Sequence, residues 1–175
     1  AVVAILPNLP LGLRTQALKQ LGELGDPTAF PAVATSLTCS EEPLVRSAIL
    51  ALGGLGDRRA VAPLIAMAVQ QPQQRIRALE AVVKIGEAGL PALLALLEQT
   101  SEAALQHAVI EALGRMKSPR GISAVAAFLS DPSVVLRRHA AEMLAQIGDA
   151  AAVGALREAL TRSEERRVGK ECRSR

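Results

Sequence analysis

Residues Leu136–Asp149, LRRHAAEMLAQIGD, decide the fold. Leu136, Ala140, Met143, Leu144 and Ile147 recur at helical spacing with Arg137, Arg138, Glu142 and Gln146 between them, so the stretch is an amphipathic helix. Gly148 stands just past the last apolar residue, where a left-handed turn costs glycine least. Asp149 follows as a side-chain acceptor for the free N–H groups of a second helix. One helix therefore stops and another starts within two residues.

Four earlier stretches repeat this pattern: LRTQALKQLGELGD from Leu13, LVRSAILALGGLGD from Leu44, QRIRALEAVVKIGE from Gln74 and LQHAVIEALGRMKS from Leu105. Successive starts lie 31, 30, 31 and 31 residues apart. The apolar residue before each turn keeps step as Leu24, Leu55, Ile85, Met116 and Ile147. Gly25–Asp26, Gly56–Asp57 and Gly148–Asp149 supply stop and cap, and Pro27 suits a first helical turn. Two copies drift. Gly86 is followed by Glu87 and its second helix arrives one residue early, while Lys117 stands where glycine is expected, with Ser118 and Pro119 as cap and first turn.

The second helix of each unit repeats too, through Phe30, Val33 and Leu37, then Val61, Leu64 and Ala68, then Leu90, Leu93 and Leu97. Ile122, Val125 and Leu129 continue the series, and Val153, Leu156 and Leu160 close it. A two-helix unit of this size cannot bury its apolar face alone, so neighbours must stack on it. The expected architecture is all-α, about five two-helix repeats wound into an α-solenoid over residues 1–162. Val2, Val3 and Leu6 read as the remnant of a preceding second helix, so the chain is expected to begin mid-repeat with apolar surface at that end.

Composition agrees. Half of the 175 residues are apolar, but they are mostly Ala, Leu, Val and Ile, with Phe30 and Phe128 the two aromatics. Such a mixture favours helices over strands. The net charge of +3 is unevenly placed: residues 163–175 hold five of the 20 basic and three of the 17 acidic residues, leaving 15 against 14 elsewhere. The body thus has no basic surplus for a nucleic-acid face, and nucleic acid is not an expected partner. Cys39 and Cys172 are too far apart in sequence for a disulfide framework or a metal motif, which fits a reduced, cytoplasmic chain. No stretch is long and apolar enough to span a membrane, and no membrane association is expected. The tail SEERRVGKECRSR abandons the period and reads as a disordered or non-native extension.

The motif [LV]-R-x-x-A-x-x-x-L-x-x-[LI]-G-D-x-x-A-[VF], best seen in LRRHAAEMLAQIGDAAAV from Leu136 and VRSAILALGGLGDRRAV from Val45, resembles the short HEAT-like repeats of the phycobilisome-lyase type. The resemblance covers everything but the tail. It implies a right-handed α-α superhelix whose first helices line a groove. It is far less specific for function, because such repeats serve many binding and scaffold proteins. The leading expectation is a non-enzymatic module that binds a protein partner along that groove. Two alternatives come from the resemblance: a phycobilin lyase or lyase-like chaperone subunit, and a nucleic-acid-binding HEAT-like protein. The scarcity of aromatics argues against a bilin, and no cofactor is expected.

No catalytic motif appears: no H-E-x-x-H, no Cys/His cluster, no phosphate loop, no nucleophile elbow. His107 and His139 sit on successive first helices at neighbouring offsets and read as partly exposed face residues. In deoxyhypusine hydroxylases, another HEAT-repeat family, His-Glu pairs bind iron. Here each histidine is followed by alanine, so no metal site is expected. Arg14, Arg46, Arg75, Arg137 and Arg138 recur near helix starts and read as a structural ladder onto Asp26, Asp57 and Asp149. The candidate partner surface is the polar stripe of the first helices: Arg46, Leu50, Ile76, Glu80, His107, Glu111, Arg138 and Glu142. Within it, Leu50 and Ile76 are apolar on adjacent repeats and form the expected hydrophobic anchor.

Overall fold

A computed structural model describes the backbone of residues 6–173 and the side chains of residues 6 and 8–162. Val2, Val3 and the side chains of the tail lie outside the described residues. Ten α-helices and no strand are present among them, so the fold is all-α, as the period requires. In chain order they are α1 (Leu11–Leu24), α2 (Phe30–Thr35), α3 (Glu42–Leu55), α4 (Val61–Gln70) and α5 (Arg75–Ile85). α6 (Leu90–Gln99), α7 (Ala103–Met116), α8 (Pro119–Ala127), α9 (Val134–Ile147) and α10 (Ala150–Arg173) follow. Odd-numbered helices are the first and even-numbered the second of five hairpins. Short 3-10 turns lead into α2, α4 and α6.

The chain divides into two compact units, residues 1–101 and 102–175. In the first, α1 packs along α3 and α3 along α5, while α4 packs on α5 and α6. Its core is aliphatic, with Leu18, Val33, Leu44, Ile49, Leu52, Leu64, Leu79 and Leu93 all buried. In the second, α7 packs on α9 and α8 on α10, around Val109, Ile110, Leu113, Val125 and Leu144. Val153 and Leu160 on α10, which continue the apolar series, are 48% and 63% exposed.

Small residues set how closely the first helices approach. A Cβ added at Gly22 would stand 2.6 Å from the Ala51 Cα, and one at Gly53 would stand 2.9 Å from the Ala81 Cα. The backbones of α1, α3 and α5 are therefore in near-direct contact. In the second unit Gly114 gives its room to Met143, whose Sδ would lie 2.7 Å from an added Cβ.

The turns follow the expected chemistry with one correction. Gly25 (φ 66°, ψ 17°), Gly56 (φ 64°, ψ 12°) and Gly148 (φ 68°, ψ 11°) adopt the left-handed conformation. Gly86 has positive φ but sits at φ 86°, ψ −148°, a region essentially reserved for glycine rather than the left-handed helical well. It ends α5 and also precedes the next 3-10 turn, so Glu87 opens that turn instead of capping it. This one-residue economy is why the second helix of the third copy arrives early, with Leu90 five residues after Ile85 where Val61 stands six after Leu55. Asp26, Asp57 and Asp149 cap as expected, each Oδ1 accepting from the backbone N–H two residues on at 2.9, 2.8 and 2.8 Å. Ser118 occupies the cap position of α8 with no side-chain cap bond.

Three outcomes follow. Lys117 takes the left-handed conformation (φ 51°, ψ 29°) that glycine takes elsewhere, so Lys117→Gly should raise unfolding stability by about 1 kcal/mol. A lower midpoint in urea would contradict it. Gly22→Ala should cost roughly 1–3 kcal/mol through overpacking. Gly12→Ala, where an added methyl meets nothing within 4 Å, should cost none. The third outcome concerns acid. The Asp57 carboxyl is held below its ordinary value chiefly by the Arg59 guanidinium and then by the Arg59 backbone N–H. The unfolded chain therefore takes up this proton at higher pH than the native one, so the stabilisation is complete above the ordinary value of 3.8 and vanishes as pH falls through the native one. Asp57→Asn should lower the Tm at pH 6 and flatten its fall towards about pH 3. A parallel fall in both proteins would refute the assignment.

Candidate functional site

The predicted stripe is distributed over both units. In the first, Arg46 is exposed and bonds Glu42 one turn earlier at 2.9 Å, and Glu80 is half-buried on α5. Leu50 and Ile76 are 48% and 59% exposed, too much for core residues. Leu50 borders a shallow cavity of about 300 Å³ with Lys19, Glu23 and Lys84. Its floor is Gly22, Ala51 and Gly54, the same small residues that let the helices touch. Ile76 does not reach it.

A larger groove lies on the second-helix layer. Ala62, Ile65 and Ala66 of α4 face Pro91, Ala92, Ala95 and Leu96 of α6 across a cavity of about 790 Å³, with Arg58 and Arg59 at one end. Arg59 is held in place. Its guanidinium bonds the Asp57 carboxylate at 2.6 Å and the Pro27 carbonyl of the preceding repeat at 3.0 Å, and lies 4.6 Å over the Phe30 ring. Sequence reading missed this groove because its walls are alanines. The available signal was their recurrence on the outer faces of two successive second helices, where a solvated face would carry charge.

The arginines near the helix starts do structural work, but not on the turn aspartates. Arg75 is buried, with its Nε donating to the Ala68 carbonyl at 3.0 Å. Arg137 donates to the carbonyls of Asp131 and Pro132 at 2.7 and 2.9 Å. Arg14 lies 4.0 Å from the Glu41 carboxylate and 3.8 Å from the Cys39 sulfur. Loop carbonyls and neighbouring glutamates take the place assigned to Asp26, Asp57 and Asp149, because those three carboxylates are spent on capping and, for Asp57, on Arg59.

In the second unit the stripe condenses into a cluster. His107 and Glu111 stand one turn apart on α7, and His139 projects from α9. The imidazoles of His107 and His139 stack with centroids 3.6 Å apart and planes 13° from parallel. One donor atom from each of His107, Glu111 and His139 lies within 4.8 Å of the other two. His139 is only 8% exposed, not the partly exposed face residue expected, and its Nε2 is buried without a hydrogen-bond partner. Burial lowers its pKa from the ordinary value, and the neighbouring His107 ring lowers it further, against opposing pulls from Glu111, the His107 backbone carbonyl and Glu142. It is therefore a neutral imidazole at neutral pH. Around the cluster, Glu111 Oε1 accepts from Arg115 at 2.7 Å, and the exposed Glu142 lies 3.6 Å from Arg138 Nε and 3.8 Å from His139 Nδ1.

Among the described residues no helix is long and apolar enough to cross a membrane. A family model described as HEAT repeats matches residues 5–84 and 90–173. The chain is 32% identical over 154 residues to the bilin biosynthesis protein PecE of Mastigocladus laminosus, covering 86% of this chain and 57% of that protein. It is 37% identical over 75 residues to PecE of Nostoc sp., covering 42% of this chain and 30% of that one. It therefore spans little more than half the length of the relative it matches most fully. Among solved structures, the complex of CpcE and CpcF of phycocyanin lyase from Nostoc sp. PCC7120 matches with a TM-score of 0.57 and 27% identity, over 83% of this chain and 63% of that one. The chain belongs to the HEAT-repeat family, of the type found in phycobilisome lyase subunits.

Proposed function

We infer that this chain is the repeat region of a bilin-handling, lyase-type subunit that works together with a protein partner. The observation that carries the reading is the 32% identity to PecE along 86% of the chain, joined by the structural likeness to a solved CpcE–CpcF complex. Relatedness of that extent favours the lyase-type reading over a plain scaffold. The groove between α4 and α6 supports it on chemical grounds. A bilin is a flat, largely apolar tetrapyrrole with carboxylate side arms. An aliphatic trough of about 790 Å³ with two guanidiniums at one end matches that shape and charge. Aromatic walls are not required, since alanine and isoleucine exclude water as well.

The first-helix stripe is the surface we assign to the protein partner. Leu50 and Ile76 supply apolar area, and Arg46 and Glu80 on the same helices supply a mixed-charge rim, the composition common at interfaces. The two assignments lie on different helix layers and separate by mutation. Mixing the protein with free phycocyanobilin should red-shift and sharpen the bilin absorption, and Ile65→Asp should remove the change. Leu50→Asp with Ile76→Asp should leave the spectrum alone while weakening association with a coexpressed CpcF-type subunit by at least about tenfold. An unshifted spectrum at excess bilin would sink the bilin assignment. Undiminished association of the double variant would remove the stripe.

A further inference from the structure

We propose that His107, Glu111 and His139 form a binding site for a divalent transition-metal ion of the zinc class. Two nitrogens and one carboxylate oxygen make a donor set of the right type, with one position left open for water or a ligand. The i, i+4 spacing of His107 and Glu111 puts both donors on one face of α7. The packing of α9 against α7 brings in the third. The independent sign is His139 Nε2, buried and without a hydrogen-bond partner in a side chain that is only 8% exposed. A buried polar atom left unpaired costs free energy, and a metal ion would use its lone pair.

The surroundings are arranged as metal-ligand surroundings usually are. Glu142 faces His139 Nδ1 at 3.8 Å and favours the proton there, which leaves Nε2 bare. Arg115 holds one oxygen of Glu111 at 2.7 Å and orients the other. Metal–ligand bonds of about 2.0–2.2 Å place tetrahedral donors roughly 3.4 Å apart, so donors up to 4.8 Å apart must close by about 1.4 Å. A bound ion lies in the plane of each ring, so the stack must also open. The half-buried His107 is the ring with room to turn.

The site does not depend on the bilin reading, and its test contains no bilin. Tag-free full-length protein, stripped with a chelator, is titrated with Co²⁺ and with Zn²⁺. The bound ion is counted after gel filtration, and affinity is read by competition. One ion per chain is expected, with visible d–d absorption for Co²⁺. His107→Gln and Glu111→Gln should each weaken binding by about 10- to 100-fold, and His139→Ala by at least as much. Far-UV circular dichroism checks that the variants fold. If His139→Ala does not, His107→Gln, at a less buried position, decides alone. No zinc held at sub-millimolar concentration, or equal retention by wild type and His107→Gln, would overturn the site. The latter result would place the metal elsewhere in the chain.

Discussion

Near-contact of backbones along the first helices is the constraint on which the rest of the structure depends. Gly22 lies against Ala51 and Gly53 against Ala81, each so closely that a methyl group would meet backbone. At that separation the apolar stripes of successive hairpins mesh without bulky side chains. A core of Leu, Val, Ile and Ala then suffices, and the two phenylalanines are not needed to fill it. Each stripe is largely consumed by its neighbours, and the apolar residues left on the outer faces include Leu50, Ile76 and the alanine groove between α4 and α6, beside exposed residues at helix ends such as Leu24, Val134 and Leu160.

Turn chemistry is more permissive than packing. Three copies use a left-handed glycine and a capping aspartate, one compresses both duties into Gly86, and one places Lys117 in the left-handed well. Each of these still ends one helix and begins the next structured turn or helix within three residues. A strain of about 1 kcal/mol at a turn is small against the burial of a whole hairpin. Substitutions at the helix contacts have no such tolerance, because a backbone atom cannot move aside as a side chain can.

Function in such an array arises where neighbouring repeats differ. Thr15, Arg46, Ile76, His107 and Arg138 occupy one register position, and Lys19, Leu50, Glu80, Glu111 and Glu142 another. The scaffold holds these positions constant while their chemistry varies from repeat to repeat. A pair of exposed apolar residues in one unit and a histidine–carboxylate cluster in the other are two results of that variation. The kinship with PecE fits a scaffold used in this way, with the proposed ligand trough and the proposed partner surface on separate helix layers.

The repeat period, the five hairpins, the turn residues and most of the core were legible in the sequence, because helical periodicity and glycine–aspartate punctuation are local properties of the chain. So was the exposure of Leu50 and Ile76, since an apolar residue at a polar register position has no neighbour to bury it. What only the tertiary structure decided is which side chains of successive repeats meet. His107 and His139 are 32 residues apart at unmatched offsets, and nothing local indicates that their rings stack, that His139 is buried, or that Glu111 joins them. The arginines' loop carbonyls and the α4–α6 groove were hidden for the same reason. Those contacts are set by the rotation and separation of one helix against the next, and these follow from packing between repeats rather than from the order of residues within one.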